Sequence, residues 1–349
     1  MKDRKNLESL TPGAVVSAAT VADMPAPRRK VNSVSVVVPF MDEVETIETL
    51  WSRLAKVLAG MGLQYEIILV DDGSLDGGGE IAIGLSERAP ETTRTIRFTR
   101  NFGKAAAISA GLAEARGEVI LTMDADLQDD PAEIPRFVEA IEAGFDVVSG
   151  WKRMRHDPLR KTLPSKVFNA MTARVFRIDI HDINCGFKAY TRRAAERLNL
   201  YGELHRFTPA LLHAAGFRVS EIPVTHHPRR HGQSKYGTRR LVKGFLDLAT
   251  VMLVTRYQSR PLHFFAMIGL PLLLLGGLFI TYLTVLWFLG LGPIGNRPLL
   301  LIGILFVVTG MQLLGTGLIA ELIHANRLEE SDKYVTAETA GRGLPGAGE

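Results

Sequence analysis

VSVVVPF at residues 34–40 and YEIILVDD at residues 65–72 are β-branched runs of strand length, each leading into a stretch with helical periodicity. The same alternation continues through TIRFTR (95–100), EVILTMDAD (118–126) and FDVVSG (145–150). Helix candidates fall between them near Glu43 to Gly60, Gly78 to Arg88, Lys104 to Arg116 and Pro131 to Ala143. Strands alternating with helices predict a Rossmann-like α/β domain, a mostly parallel sheet with helices on both faces. The acidic motifs stand where strands end, the edge at which open α/β sheets bind ligands. No G-x-G-x-x-G follows the first strand, so a dinucleotide fingerprint is absent, and Gly77 to Gly79 read as a flexible turn.

The chain changes character after Arg260: no Asp, Glu, Lys or Arg occurs until Arg297, and none again until Glu321. Each gap exceeds the roughly 20 apolar residues that cross a bilayer. Two transmembrane helices are expected, at about 262–289 and 299–319, joined by GLGPIGNRP. GLPLLLLGGLFITYLTVLWFLG (269–290) is apolar all round, unlike a helix of a soluble core. Arg239, Arg240, Lys243, Arg256 and Arg260 precede the first span and Arg327 follows the second, while the connection holds only Arg297. Both ends of the hairpin, and the α/β domain, are therefore expected on the cytoplasmic side.

The expected organisation is a disordered lead at 1–32, the α/β domain at 33–237, a juxtamembrane amphipathic segment at 238–261, the two spans within 262–322, and a cytoplasmic tail at 323–349. No apolar core of signal-peptide length stands between Met1 and Lys30, so a cleaved signal is not expected. A formal net charge of +4 excludes a nucleic-acid polycation, and the one cysteine, Cys185, excludes an internal disulfide.

DADLQ places Asp124 and Asp126 two residues apart at a strand end, followed by Gln128. Such hard oxygen ligands can hold a divalent cation against diphosphate oxygens while leaving coordination positions open. Pro39 and Glu43 end the first strand and Asp71 and Asp72 the second, where carboxylates can accept hydrogen bonds from a ribose or a base. WKRMRHDPLRKTLPSK (151–166) is a basic cluster with Asp157 its single acid, followed by an apolar stretch suited to a membrane interface. A second acid-free cluster runs from Arg229 to Lys243 and contains flexible Gly232, Ser234 and Gly237, as a loop closing over an anionic site would. His226, His227 and His231 lack a fourth ligand at structural-zinc spacing.

In this order, PFMDE (39–43), VDDGS (70–74), RNFGKAAAISAGLAEARGE (100–118), DADLQ (124–128), GFKAY (186–190) and RRHGQSKYG (229–237) resemble the family-2 glycosyltransferases of GT-A fold. Within that family the chain is similar to the polyprenyl-phosphate branch, which includes dolichol-phosphate mannosyltransferases and bacterial undecaprenyl-phosphate sugar transferases. It departs at Phe40, Met41 and Asp42, where the family often has Tyr and Asn before Glu. The resemblance implies that Pro39, Glu43 and Asp71 hold the nucleoside, Asp124 the ribose or diphosphate region, and Asp126 with Gln128 a Mg or Mn ion. It implies that Arg229, with Arg230 beside it, grips the donor phosphates, and that Arg153, Lys161 and Ser165 hold the acceptor phosphate. Arg160 can share the Lys161 role, and Lys104 is a further donor-side candidate.

The function so implied is transfer of a sugar from a UDP- or GDP-sugar to undecaprenyl or dolichyl phosphate, with inversion. Nucleotide sugar, polyprenyl phosphate and membrane lipid are then the partners, nucleic acid is not, and a homo-oligomer is left open. Two rivals stand beside it. A transferase acting on a hydroxyl of a glycolipid or polysaccharide would usually carry Q-x-x-R-W, and Trp51, Trp151 and Trp287 all lie outside that pattern. A non-catalytic membrane adaptor would have little need of Asp124, Asp126, Gln128, Arg153 and Arg229 together.

Overall fold

In the strand Ser33–Phe40 seven of eight residues are buried, so both faces of this part of the sheet are covered. The computed structural model describes residues 16–17, 28–153, 172–174, 176, 178–227, 249–253, 255, 257 and 260–327. Its first unit carries strands β1 (Val16–Ser17), β2 (Ser33–Phe40), β3 (Gln64–Asp71), β4 (Thr93–Arg97), β5 (Val119–Thr122), β6 (Val147–Trp151), β7 (Lys188–Thr191) and β8 (Val219–Pro223). Helices α1 (Ile47–Gly60), α2 (Gly78–Arg88), α3 (Lys104–Glu114), α4 (Ile134–Glu142), α5 (Arg192–Ala195) and α6 (Thr208–Ala214) lie among them.

The strands form one sheet in the order β1-β8-β6-β7-β5-β2-β3-β4. β2, β3, β4 and β5 are mutually parallel, as the strand-helix alternation predicts. β7 departs from that expectation: it runs antiparallel between β5 and β6. The two-residue β1 falls inside the expected N-terminal lead and pairs antiparallel with β8.

Alternation along β2 divides the core. Val34, Val36, Val38 and Phe40 join Leu50, Leu54, Leu58, Leu85 and Phe137, so α1, α2 and α4 cover one face. Val37 points the other way, toward α3, where a Cβ on Gly111 would stand 2.2 Å from Val37 Cγ1. Only glycine lets α3 approach the sheet this closely, and α3 is the helix that begins with Lys104. Helix boundaries follow local chemistry: the segment expected to be one helix from Pro131 starts as a 3-10 turn at Pro131–Glu133, capped by Asp130 Oδ1 accepting from Ala132 N–H at 3.0 Å.

The second unit contains α7 (Pro261–Phe288) and α8 (Pro298–Arg327). Both have the length and composition to cross a membrane, with a mean hydropathy of 2.2. α8 continues beyond Ile319, the expected end of the span. Small residues seven apart form the seam between them: Gly269 and Gly276 on α7 meet Gly310 and Gly303 on α8. A Cβ on Gly276 would come within 2.6 Å of the Gly303 carbonyl oxygen, so the two backbones are in direct contact, the close packing that lipid-embedded helices use. Glu321 accepts from Leu262 N–H at 3.0 Å, satisfying a donor at the start of α7 with a carboxylate.

Candidate active site

The loops after β2 and β3 are tied together by hydrogen bonds within the protein itself. Asp42 N–H donates to Ser74 Oγ at 3.0 Å, Leu75 N–H to Asp42 Oδ1 at 3.0 Å, and Val44 N–H to Asp76 Oδ2 at 2.8 Å. Asp42 takes a left-handed φ of 56°, a conformation that Asp tolerates better than most side chains. Pro39 is buried beside Val70 in the β2–β3 register, and Glu43 Oε2 accepts from Thr46 Oγ1 at 3.1 Å. Asp71 is fully buried; its Oδ1 accepts from Ser74 N–H at 2.8 Å and its Oδ2 lies 3.2 Å from Arg97 Nε. Gly78 and Gly79, expected in a flexible turn, are instead buried in α2. A Cβ on Gly79 would stand 2.2 Å from Asp71 Oδ2, so the helix start is shaped around this carboxylate.

Asp72 reaches in the other direction. Its carboxylate accepts from Phe102 N–H at 2.7 Å and Gly103 N–H at 3.0 Å, fixing the RNFG turn from which α3 and Lys104 emerge. Lys104 Nζ then meets Asp124 Oδ1 at 2.5 Å. Burial opposes ionisation of Asp124, yet Lys104, followed by Lys152, outweighs it and holds the carboxyl down at about 2. Gly186 gives Asp124 its space: a Cβ there would lie 2.6 Å from Asp124 Oδ2. This is the physical reason for glycine at the start of GFKAY.

Asp126 and Gln128 flank Leu127, whose φ is 59°, and Gln128 N–H donates to Asp126 Oδ1 at 3.2 Å. Gln128 also pairs with His227, whose N–H donates to the Gln128 carbonyl at 2.8 Å while Gln128 Nε2 donates to the His227 carbonyl at 3.3 Å. Asp129 forms a backbone bridge to His226. The Asp-x-Asp turn is thus zipped to the segment leading toward Arg229. Among the described residues no three His, Cys, Asp or Glu side chains converge as a protein-only metal cage.

Just past the end of β6, where Arg153 N–H donates back to the Trp151 carbonyl at 2.9 Å, two neighbouring cations meet different surroundings. Lys152 turns inward, with Nζ 3.3 Å from Asp129 Oδ1, whereas Arg153 is exposed, its guanidinium carbon 5.8 Å from the Trp151 ring centroid. Trp151 in turn stacks on His181 at 4.3 Å, and His181 is anchored to the buried Glu221, its N–H donating to Oε2 at 2.8 Å. Lys161, Ser165, Arg229, Arg160 and Arg230 lie outside the described residues.

Behind Asp124 opens a cavity of about 210 Å³, lined among others by Lys104, Asp124, Lys152, Lys188, His205 and Arg206. Lys188 comes from GFKAY on β7, and His205 and Arg206 from the 3-10 turn Leu204–Phe207. Burial, with Lys104 and Lys188 nearby, pulls the His205 imidazole down to about 3, so it is neutral. None of these last three is legible as a site residue in sequence except Lys188, through its place in a family motif.

The carboxylate-bearing loops after β2, β3 and β5 stand at the same edge of one sheet, the edge at which open α/β folds bind their ligands. Residues 35–198 match the model of Glycosyl transferase family 2. Over 310 residues the chain is 38% identical to the dodecaprenyl-phosphate galacturonate synthase of Rhizobium johnstonii, covering 87% of this chain and 92% of that protein. It is 36% identical over 294 residues to an undecaprenyl-phosphate 4-deoxy-4-formamido-L-arabinose transferase of Pseudomonas aeruginosa, covering 84% and 85% respectively. The protein belongs to glycosyl transferase family 2, in the branch of polyprenyl-phosphate glycosyltransferases. Glucosyl-3-phosphoglycerate synthase from Mycobacterium tuberculosis shares the fold, with a TM-score of 0.50 at 19% identity over 62% of this chain and 80% of that one.

Proposed function

We propose that the protein transfers a sugar from a nucleoside diphosphate donor to the phosphate of a polyprenyl lipid, at the cytoplasmic face of a membrane and with inversion at the anomeric carbon. The observation that carries this reading is the pair at the end of β6, where Lys152 serves the buried donor side and Arg153 presents a second cation outward. Two anionic substrates need two separated sets of cations. The relatives whose names specify dodecaprenyl and undecaprenyl phosphate support the lipid-phosphate acceptor.

The acceptor phosphate is anionic near neutral pH, its second ionisation lying near about 6, so the attack needs no general base. One of its oxygens forms the new bond to the anomeric carbon as the bond from that carbon to the diphosphate oxygen breaks. The electron pair leaves with the nucleoside diphosphate. Arg153, with Lys161 and Ser165, has the role of orienting the nucleophile, and Arg229 that of stabilising the departing charge. Pro39, Glu43 and the turn organised by Asp71 form the nucleoside platform, and Asp124 serves the ribose or diphosphate region. Asp126 and Gln128 suit a divalent cation: both are half-buried, and with Gln128 Nε2 engaged by His227 the amide oxygen is the atom suited to ligation. A Mg or Mn ion held there supplies charge neutralisation for the leaving diphosphate.

Purified full-length protein supplied with a panel of UDP- and GDP-sugars should glycosylate undecaprenyl phosphate and leave undecaprenol unmodified, as read by mass spectrometry. Equal use of both lipids would instead support transfer to a hydroxyl. The basic residues flanking the two apolar helices support a topology with both ends of the hairpin in the cytoplasm. Reporters fused at the N-terminus and after Arg327 are therefore expected to give the same, cytoplasmic, signal. Opposite compartments would contradict a two-span topology.

A further inference from the structure

The cavity behind Asp124 has more positive charge than its own acids account for. Lys104 is paired with Asp124 at 2.5 Å, Lys152 with Asp129 at 3.3 Å, and one arm of Arg206 with Glu203 at 2.9 Å. Lys188 differs. Its side chain is buried, its Nζ donates to the His205 carbonyl at 3.3 Å, and among the described residues no carboxylate lies within ion-pair distance of it. An ammonium has three donors, and burying one with a single neutral acceptor is costly. His205 adds a second unspent group on the same wall: its Nδ1 is buried without a hydrogen-bond partner among the described residues.

The cavity's size restricts what can meet these groups. At about 210 Å³ it falls below the roughly 300–1,000 Å³ of pockets for drug-sized ligands, so it suits one sugar ring rather than a whole nucleotide sugar. Resting on the reading that the donor is a nucleotide sugar, we infer that its sugar carries a carboxylate, as a hexuronic acid does at C6, and that Lys188 with Arg206 recognises it. The carboxylate completes the ion pairing of Lys188, and His205 Nδ1 serves a ring hydroxyl. Burial draws the Lys188 ammonium down to about 8, and a bound carboxylate favours its charged form. A hydroxymethyl at the same carbon leaves the buried cation unmatched. Sites built around a buried polar partner reject analogues that lack it far more strongly than they reject a change of size.

The test uses the full-length protein and donors that differ only at C6: UDP-galacturonate against UDP-galactose, UDP-glucuronate against UDP-glucose, and GDP-mannuronate against GDP-mannose. At least one acidic donor should bind about tenfold or more tightly than its neutral counterpart, the factor expected from one charge-assisted contact. K188M should bring that ratio to within about twofold, while the affinity for UDP or GDP alone stays unchanged; K188R should retain the preference. R206Q should lower the ratio as well, and it decides the matter if K188M does not fold. Equal affinity for all three pairs in the native protein would overturn the inference. So would a K188M variant that loses UDP or GDP affinity in the same proportion, since the cavity would then hold the diphosphate. Transfer of neutral sugars to undecaprenyl phosphate without acidic preference would sink this inference and leave the lipid-phosphate reading standing. Selective uronate binding with no transfer to that lipid would do the reverse.

Discussion

Asp126→Asn should abolish most sugar transfer, by at least about a hundredfold, or ~2.7 kcal/mol of barrier, while the protein remains folded. The substitution keeps the shape of the side chain and its capacity to accept from Gln128 N–H, which now lies 3.2 Å from Asp126 Oδ1. It removes the negative charge that a divalent cation requires of its ligand. The turn should survive, because Gln128, next to the left-handed Leu127, is bonded to His227 through both its backbone carbonyl and its side-chain amide. Two measurements check this together: turnover with and without excess chelator, and titration of Mg or Mn in the presence of nucleoside diphosphate. Full turnover by the variant, or by the native protein in chelator, would remove Asp126 and Gln128 from the proposed metal site.

Loss of Arg153 should act on the opposite substrate. Arg153→Ala is expected to lower transfer or acceptor affinity at least about tenfold, because a charge-assisted hydrogen bond is worth roughly 1.5–3 kcal/mol. Nucleotide affinity should stay nearly constant, since Lys152, not Arg153, turns toward the cavity containing Asp124. Arg153→Lys should recover part of the loss, as Lys supplies charge without the planar fork. The surrounding support is independent of the guanidinium: Trp151 stacks on His181, and Glu221 holds His181 from inside the sheet. Calorimetry of nucleotide binding beside transfer assays separates the two substrates. A variant crippled in donor binding alone would show that Arg153 does not serve the acceptor.

The parts of the molecule readable from sequence are those whose cause is local. α2 spans Gly78–Arg88, the expected range, and β2 and β3 lie within a residue or so of the expected runs. The two apolar helices are equally plain, because uncharged stretches longer than a bilayer's width need no partner to be recognised. The order of acidic and basic motifs also points to the family from sequence alone, since each motif is a run of adjacent residues. β7 was not legible in the same way. GFKAYT is short, and its insertion antiparallel between β5 and β6 depends on partners near residues 120 and 148.

The sequence by itself therefore determined the α/β class, the membrane hairpin, the family and the identity of the carboxylates at the strand ends. Only the tertiary structure decided how those residues are employed. It buried Asp71 against Ser74 and Arg97, set Lys104 on Asp124, cleared space for that carboxylate at Gly186, and turned Lys152 and Arg153 to different sides. It also carried Lys188 and Arg206 from separate segments to one cavity wall. The physical reason is range: periodicity and capping act over a few residues, whereas ion pairing and desolvation depend on groups brought together from 20 residues apart for Lys104 and Asp124 to 40 for His181 and Glu221.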